Sequence, residues 1–173
     1  MKVKDLMIPV GEYKTVDKDA SLADVVNVLN DSGHRDVFVV NNEGDLEGVL
    51  TMTDILVALE PNYKNLNNKD LDSDVLSRRY VADLFKEYNL WGDSLHEICK
   101  RGVGIKAGEA MHIPAKGEYL NEDDDIDQAM HRYIVGAHQP IFVRANGTIT
   151  GVIRLNDVFN EVKKRMLACV AEL

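Results

Sequence analysis

Two short segments of the chain each place a polar residue and an aspartate three positions apart. The first, GVLTMTDI, contains Thr51 and Asp54, and the second, GVIRLNDV, contains Arg154 and Asp157. Both patterns are typical of a strand that ends where a helix begins, and the free N–H groups of a helix start bind anions. A carboxylate in that position can also accept two hydrogen bonds from the vicinal diol of a ribose. The residue types therefore predict a site for anions and hydroxyl groups.

The same spacing has a simpler structural explanation. An aspartate at a helix start often only caps the backbone, which stabilises the helix by ~0.5–2 kcal/mol without any ligand. In the second segment the guanidinium of Arg154 could reach a phosphate, or it could fill the pocket and pair with Asp157. The sequence leaves these alternatives open, but the replacement of Thr51 by Arg154 predicts two unequal sites.

The two segments belong to a longer internal repeat. Residues 38–55 align with residues 141–158 without a gap, and five of the 18 aligned positions are identical. With one gap the match extends upstream to Met7 and Met111. This divides the chain into a first repeat at 2–60, an insert at 61–106 and a second repeat at 107–168, whose last helix continues to 173.

The sequence pattern of each repeat predicts the same order of elements: a short strand, a helix, two strands joined by a turn, and a second helix. In the first repeat Ser21 and Asp24 resemble a capping box, and Gly33 ends the helix that follows. Residues 41–44 form the turn of a hairpin. A unit this small cannot bury its sheet alone. We therefore predict a fold of the α+β or α/β class in which two β-α-β-β-α units pack sheet to sheet.

This order of elements, its duplication and the phrases GVLTMTDI and GVIRLNDV resemble a cystathionine-β-synthase (CBS) domain pair, also called a Bateman module. The resemblance implies a regulatory module without catalytic activity. It also implies a cleft between the repeats that binds an adenine nucleotide, with AMP, ADP or ATP ahead of S-adenosylmethionine or NAD. The expected partners are a second copy of the chain in a homodimer and a regulated protein that the sequence does not identify.

The resemblance also implies the residues of the site. In such pairs the Thr and Asp of the phrase hold ribose and phosphate, the opening strand of each unit contacts adenine through its backbone, and an Arg or His two residues before a proline meets phosphate. Arg35 and His138 take this last position, with Val37 in place of the proline in the first repeat. Carried over by position, the site comprises Thr15, Val16, Arg35, Thr51, Asp54, Tyr119, Leu120, His138, Pro140, Arg154 and Asp157.

Composition narrows the choice of partners. The chain has 20 Lys and Arg against 29 Asp and Glu, a net charge of −9. This balance argues against nucleic acid or an anionic membrane surface as the main partner. No apolar run has the length of a signal peptide core or a membrane span. Cys99 and Cys169 lack a CxxC pattern and suggest two buried thiols in a reducing cytoplasm.

The insert and the last helix each allow two interpretations. Apolar residues at helical spacing between Val75 and Tyr88, and a capping pattern at Ser94, predict two helices in the insert. Their apolar face covers the core of the pair or binds a partner. The last helix, with Val158, Val162, Met166 and Cys169 on one face, poses the same choice. We expect a core role for both.

Other chemistry is weakly represented. His96 and Cys99 lie one helical turn apart without further ligands at metal spacing, and the acidic run at 121–127 lacks the glycine and glutamate of a calcium loop. No P-loop, GxGxxG or ordered Ser-His-Asp pattern is present. No metal is therefore expected. The alternative to a nucleotide sensor is a ligand-free pair that only dimerises and binds a protein.

Overall fold

The computed structural model describes residues 1–65, 78–115 and 117–171. Its strands and α-helices follow in the order β1 (Ile8–Pro9), β2 (Thr15–Asp17), α1 (Leu22–Ser32), β3 (Asp36–Val40), β4 (Leu46–Thr51), α2 (Met52–Leu59), α3 (Arg78–Glu87), α4 (Leu95–Gly102), α5 (Ala107–Ala110), β5 (Tyr119–Asn121), α6 (Ile126–Ile134), β6 (Ile141–Ala145), β7 (Thr148–Ile153) and α7 (Leu155–Ala171). Short 3-10 helices span Val3–Asp5, Val10–Glu12 and Pro61–Asn65. The predicted β-α-β-β-α order of both repeats is confirmed.

Each repeat builds a small mixed sheet, and the two sheets pack face to face. In the first sheet β3 pairs parallel with β2 and antiparallel with β4, and β6 pairs in the same way with β5 and β7. Phe38 and Phe142 meet between the sheets with ring centroids 5.8 Å apart. Val49 and Val152 complete this shared layer and are fully buried. The sheet-to-sheet packing predicted from the size of the units is confirmed.

The opening segment of each repeat joins the sheet of the other repeat. Strand β1 pairs antiparallel with β7 of the second repeat. In the reverse direction, His112 forms a bridge with Val49 on β4. The side chains follow their strands: Val3 is fully buried in the core of the second repeat, and Ala107 in that of the first. The repeats are thus interlocked at both ends.

This exchange explains the glycine that begins both repeated phrases. A Cβ atom on Gly48 would lie within 3.0 Å of the carbonyl oxygen of His112, and one on Gly151 within 3.0 Å of that of Ile8. Real Cβ atoms do not approach a backbone oxygen so closely, so any side chain would push the exchanged segment away. The repeated glycine is therefore a packing requirement of the exchanged segments.

The pairing corrects the alignment of the repeats. Phe38 lies opposite Thr15 on β2, and Phe142 lies opposite Tyr119 on β5. Phe38 is therefore the equivalent of Phe142, because the first hairpin turn is one residue longer than the second. The gap-free alignment of 38–55 with 141–158 is wrong upstream of the hairpins.

The described part of the insert packs against the first repeat. Leu90 and Ile98 are buried, and Gly102 on α4 touches the side chain of Leu59 on α2. The buried carboxylate of Glu60 accepts a backbone hydrogen bond from Trp91 at 2.9 Å. The insert therefore contributes to the core at Leu90 and Ile98, whereas Phe85 of the predicted apolar face is 40% exposed and Val75 and Leu76 lie outside the described residues.

Helix α7 departs from expectation beyond its second turn. Val158 is buried, but Met166 is 65% exposed, and Leu167 and Val170 are exposed to a similar degree. The expectation that this face belongs to the core is therefore wrong for Met166 and Cys169, because the core of the second repeat packs against α7 at Val158, near the start of the helix. Cys99 is exposed as well, so the expectation of two buried thiols is also wrong.

The acidic run at 121–127 has a structural role. Lys2 pairs with Asp125 at 2.8 Å and Lys4 with Asp123 at 2.7 Å, which ties the N-terminal segment to the second repeat. Within the described ranges, no group of three or more His, Cys, Asp or Glu side chains is arranged to hold a metal ion. No helix of the described chain is long and apolar enough to cross a membrane.

Candidate functional site

A cavity of about 780 Å³ lies between the repeats, and both repeated phrases face it. Equivalent segments of the two repeats line it, namely 33–36 and 51–54 from the first and 137–140 and 154–156 from the second. The cavity is therefore a shared space with two related halves. Each half is defined by one strand-to-helix turn, and the two turns carry different side chains.

In the first half, Thr51 and Asp54 form a capping box at the start of α2. Asp54 accepts hydrogen bonds from the Thr51 backbone N–H at 2.8 Å and from its hydroxyl at 2.6 Å, both through Oδ2. The Asp54 N–H in turn donates to the Thr51 hydroxyl at 3.2 Å. The turn is thus a cap, as the simpler explanation holds, but Oδ1 of Asp54 takes no part in that cap.

Oδ1 of Asp54 faces the second repeat, where it lies 3.3 Å from Nε2 of His138. Burial raises the pKa of Asp54, but the hydrogen bonds from His138 and Thr51 outweigh burial and hold that pKa below its usual value. The carboxylate is therefore ionised at neutral pH. Its contact with His138 is long for a hydrogen bond between these groups, so this oxygen is the more easily released acceptor of the pair.

The ring of a second histidine, His112, packs against the ring of His138. The rings of His112 and His138 stack with centroids 3.8 Å apart and planes inclined by 10°. Nε2 of His112 lies 2.9 Å from a carboxylate oxygen of Glu118, which also accepts the Ala115 N–H at 2.6 Å. Burial raises the pKa of Glu118, but the hydrogen bonds from Ala115 and His112 outweigh burial and keep it below its usual value.

Sequence reasoning missed this support. Neither His112 nor Glu118 belongs to a sequence pattern that predicts a site. The contact arises because strand exchange carries His112 across to β4, next to the Asp54 turn. A single sequence contains no pattern for such a long-range exchange.

In the second half, Arg154 forms an ion pair with Asp157, the aspartate of its own turn. Its Nε lies 2.7 Å from one oxygen of Asp157 and its Nη2 lies 3.0 Å from the other, which is a bidentate ion pair. The hydrogen bond to Asp157 raises the pKa of Arg154 despite partial burial. The sequence left open whether Arg154 reaches a phosphate or pairs with Asp157. In the structure it pairs with Asp157 and binds both oxygens of that carboxylate.

A buried carboxylate that sequence reasoning missed faces the same half. Asp36, at the start of β3, is only 8% exposed and lines the cavity. The hydroxyl of Tyr13 donates a hydrogen bond to it. Burial, together with Asp36, raises the pKa of Tyr13, so the phenol stays protonated and remains a donor. Tyr13 is held in place by stacking on Phe38, with centroids 4.2 Å apart.

The corrected register changes the equivalence of the site residues. His34, rather than Arg35, is the counterpart of His138, and Asp36, rather than Val37, stands where the second repeat has Pro140. Within the described residues, the Nδ1 atoms of both histidines are buried without a hydrogen-bond partner. The prediction that Arg35 and His138 are equivalent is therefore wrong, because the longer first hairpin shifts the alignment by one residue.

The predicted site residues divide into two groups. Those that line the cavity are Arg35, Thr51, Asp54, His138, Pro140 and Arg154. Those that do not line it are Thr15, Val16, Tyr119, Leu120 and Asp157. Val16 and Leu120 point into the cores of their own repeats. Each half of the cavity also combines the two repeats, since Asp54 of the first meets His138 of the second.

Comparison with known proteins agrees with this architecture. A model of the CBS domain family matches residues 3–61. The structure of a CBS domain-containing protein of unknown function from Bacillus anthracis is similar over 95% of this chain and 94% of its own, with a TM-score of 0.62 and 19% identity. The fold is that of a CBS domain pair.

Two other CBS structures resemble this CBS domain pair. The structure of CBSX2 in complex with AMP is similar over 95% of this chain and 98% of its own, with a TM-score of 0.61 and 14% identity. The CBS domain of a bacterial CNNM/CorC family Mg²⁺ transporter in complex with ATP is similar over 94% of this chain and 87% of its own, with a TM-score of 0.60 and 16% identity. A sequence search of curated proteins found no match.

Proposed function

We propose that this CBS domain pair is a regulatory module that binds an adenine nucleotide in the cavity between its repeats and transmits the nucleotide level to another protein, without catalysis of its own. The observation that carries the proposal is the turn at Thr51 and Asp54, which presents an ionised carboxylate oxygen to a cavity of about 780 Å³. The AMP and ATP complexes of CBSX2 and of the transporter CBS domain support the choice of ligand.

The side chains of the first half suit a ribose phosphate. A ribose diol would take Oδ1 of Asp54 in place of the 3.3 Å contact with His138, while the capping box on Oδ2 stays intact. The imidazole released from Asp54 becomes a donor for phosphate. The side chain of Arg35 is exposed, and within the described residues its guanidinium makes no hydrogen bond or ion pair, although its backbone carbonyl accepts from Met52. It can therefore meet a phosphate without breaking an internal contact.

A thermal-shift screen over AMP, ADP, ATP, S-adenosylmethionine and NAD tests the proposal. A nucleotide at a hundred times its Kd stabilises the folded state by ~2.7 kcal/mol. For a chain of this size that is a rise in Tm of about 5–11 °C. Asp54→Ala is the control that should lose the shift. The absence of any shift with adenine nucleotides at millimolar concentration would contradict the proposal and favour a ligand-free scaffold.

The scaffold alternative has its own supporting observation. Leu155, Phe159, Met166 and Val170 recur at helical spacing along α7 and are all exposed, between 41% and 66%. An apolar stripe of this length is unusual on a free surface. We therefore include a homodimer in the proposal, with this stripe of α7 in its interface. Sedimentation that shows only monomers at micromolar concentration would contradict the homodimer. If a dimer is found, Phe159→Glu should weaken it.

A further inference from the structure

Among the equivalent positions at which the two halves of the cavity differ, two are complementary in charge and belong to one cluster. Where the first repeat has Thr51, the second has Arg154; where the second has Pro140, the first has Asp36. One repeat thus gains a cation and the other gains an anion. Both residues line the shared cavity.

The added charges meet in one cluster. The guanidinium of Arg154 binds both oxygens of Asp157, interacts with the phenol of Tyr13, and lies close enough to Asp36 for their charges to interact. Tyr13 bridges to Asp36 by its own hydrogen bond. A carboxylate as buried as Asp36 is costly unless it is paired and hydrogen-bonded. Arg154 therefore pairs directly with Asp157 and, without a direct ion pair, offsets part of the charge of Asp36.

This cluster leaves little for a ligand in the second half. A ribose diol there would have to displace a bidentate guanidinium, whereas in the first half it displaces a single 3.3 Å contact to an imidazole. A phosphate that displaced Arg154 would also face the carboxylate of Asp36 at close range, which is repulsive. The same groups that stabilise the fold thus oppose a ligand.

We infer that Arg154 is a built-in occupant of the second half of the cavity, so that each chain binds one nucleotide, at the Asp54 half only. The inference rests on the proposed function for the identity of the ligand. Arg154 and Asp36 are then the residues that determine how many nucleotides each chain binds.

Isothermal titration calorimetry with AMP tests the inference on the full chain. The wild type should bind one AMP per chain. The double variant Arg154→Thr/Asp36→Asn should bind two, because the threonine supplies the hydroxyl of the first half and the asparagine removes the charge but can still accept the Tyr13 hydrogen bond. Arg154→Lys should still bind one, since it keeps the cation. The matched control Arg101→Thr, which removes an exposed arginine paired with Asp93, should also bind one.

Two AMP molecules per wild-type chain would overturn the inference, as would one per chain in a double variant that circular dichroism shows to be folded. A second measurement needs no nucleotide. Arg154→Thr alone should lower Tm, and adding Asp36→Asn should recover most of the loss, because it removes a carboxylate left unpaired. If Asp36→Asn lowers Tm equally with and without Arg154, the cluster does not exist as described. Failure of AMP to bind the wild type, with this recovery intact, would count against the proposed function alone.

Discussion

The two repeats agree closely in backbone and differ where they face the cavity. Both exchange their opening segments, and both need a glycine where the exchanged segment crosses the sheet. At the start of the following helix, however, the two repeats differ. The Thr51 hydroxyl bonds one oxygen of Asp54 and leaves the other facing the cavity, whereas Arg154 binds both oxygens of Asp157. The residues that hold the fold are duplicated, whereas several residues that line the cavity have diverged. The backbone of a repeat therefore predicts less about binding than its few cavity-facing side chains.

The largest expected effect tests this difference directly. Asp54→Ala removes the open acceptor, and a lost hydrogen bond to a charged group is worth roughly 1.5–3 kcal/mol, about ten- to a hundredfold in Kd. Asp157→Ala should change Kd less, because both oxygens of Asp157 already bind Arg154. Calorimetry with AMP on both variants provides the measurement. A greater loss from Asp157→Ala would reverse the ranking of the two halves.

A second pair of variants tests what the repeats share. Gly48→Ala and Gly151→Ala should each destabilise the fold by about 1–3 kcal/mol, the usual cost of overpacking, because each methyl group meets a backbone carbonyl of an exchanged segment. Urea unfolding gives the two free energies. Gly104→Ala is the control, since its Cβ would meet no atom within 4 Å. A loss at only one of the two glycines would show that the exchange is needed on one side alone.

The histidine stack gives a smaller effect that belongs to one half only. His112→Ile places the residue type of the equivalent Ile8 beneath His138 and removes the ring contact and the link to Glu118. Aromatic contacts of this kind are worth about 0.5–1.5 kcal/mol, so Kd for AMP should rise about two- to tenfold. His96→Ile on α4, far from the cavity, should leave Kd unchanged. Unchanged binding in His112→Ile would mean that His138 needs no support.

The smallest effect is the contribution of Asp54 to stability against acid. Its pKa is lowered in the folded state, so the ionised carboxylate stabilises the fold above its ordinary pKa of about 4, and this stability is lost as pH falls through the lower folded value. The Tm advantage of wild type over Asp54→Asn should therefore be full above about pH 5 and shrink below pH 4. Parallel Tm curves from neutral pH to pH 3 would contradict the assignment.

Much of the architecture follows from local patterns. The capping box at Ser21, the hairpin turn at Gly44 and the strand-to-helix turn at Thr51 are each readable within a few residues, and all three are present. The prediction of the fold rested on these patterns together with the duplication of the repeat. The same locality explains why the cap formed by Thr51 and Asp54 could be predicted.

What could not be predicted depends on distant parts of the chain. The extra residue in the first hairpin is invisible without strand pairing, and it concealed Asp36 as the partner position of Pro140. The stack of His112 on His138 requires the exchange of opening segments. The burial of Val158 but not Met166 depends on which distant residues pack against each turn of α7. None of these has a signature within a short window of sequence.

The exchanged opening segment also sets an order of events during synthesis. Strand β1 is synthesised well before β7, because its pairing partner Val152 lies 144 positions after Ile8 in the sequence. At about 5–20 residues per second, translation reaches that partner roughly 7–30 s after Ile8. The first sheet also lacks the His112 bridge until the insert and His112 itself have been made. The nascent first repeat therefore emerges as an incomplete unit, and β1 joins its own sheet only after β7 has been synthesised.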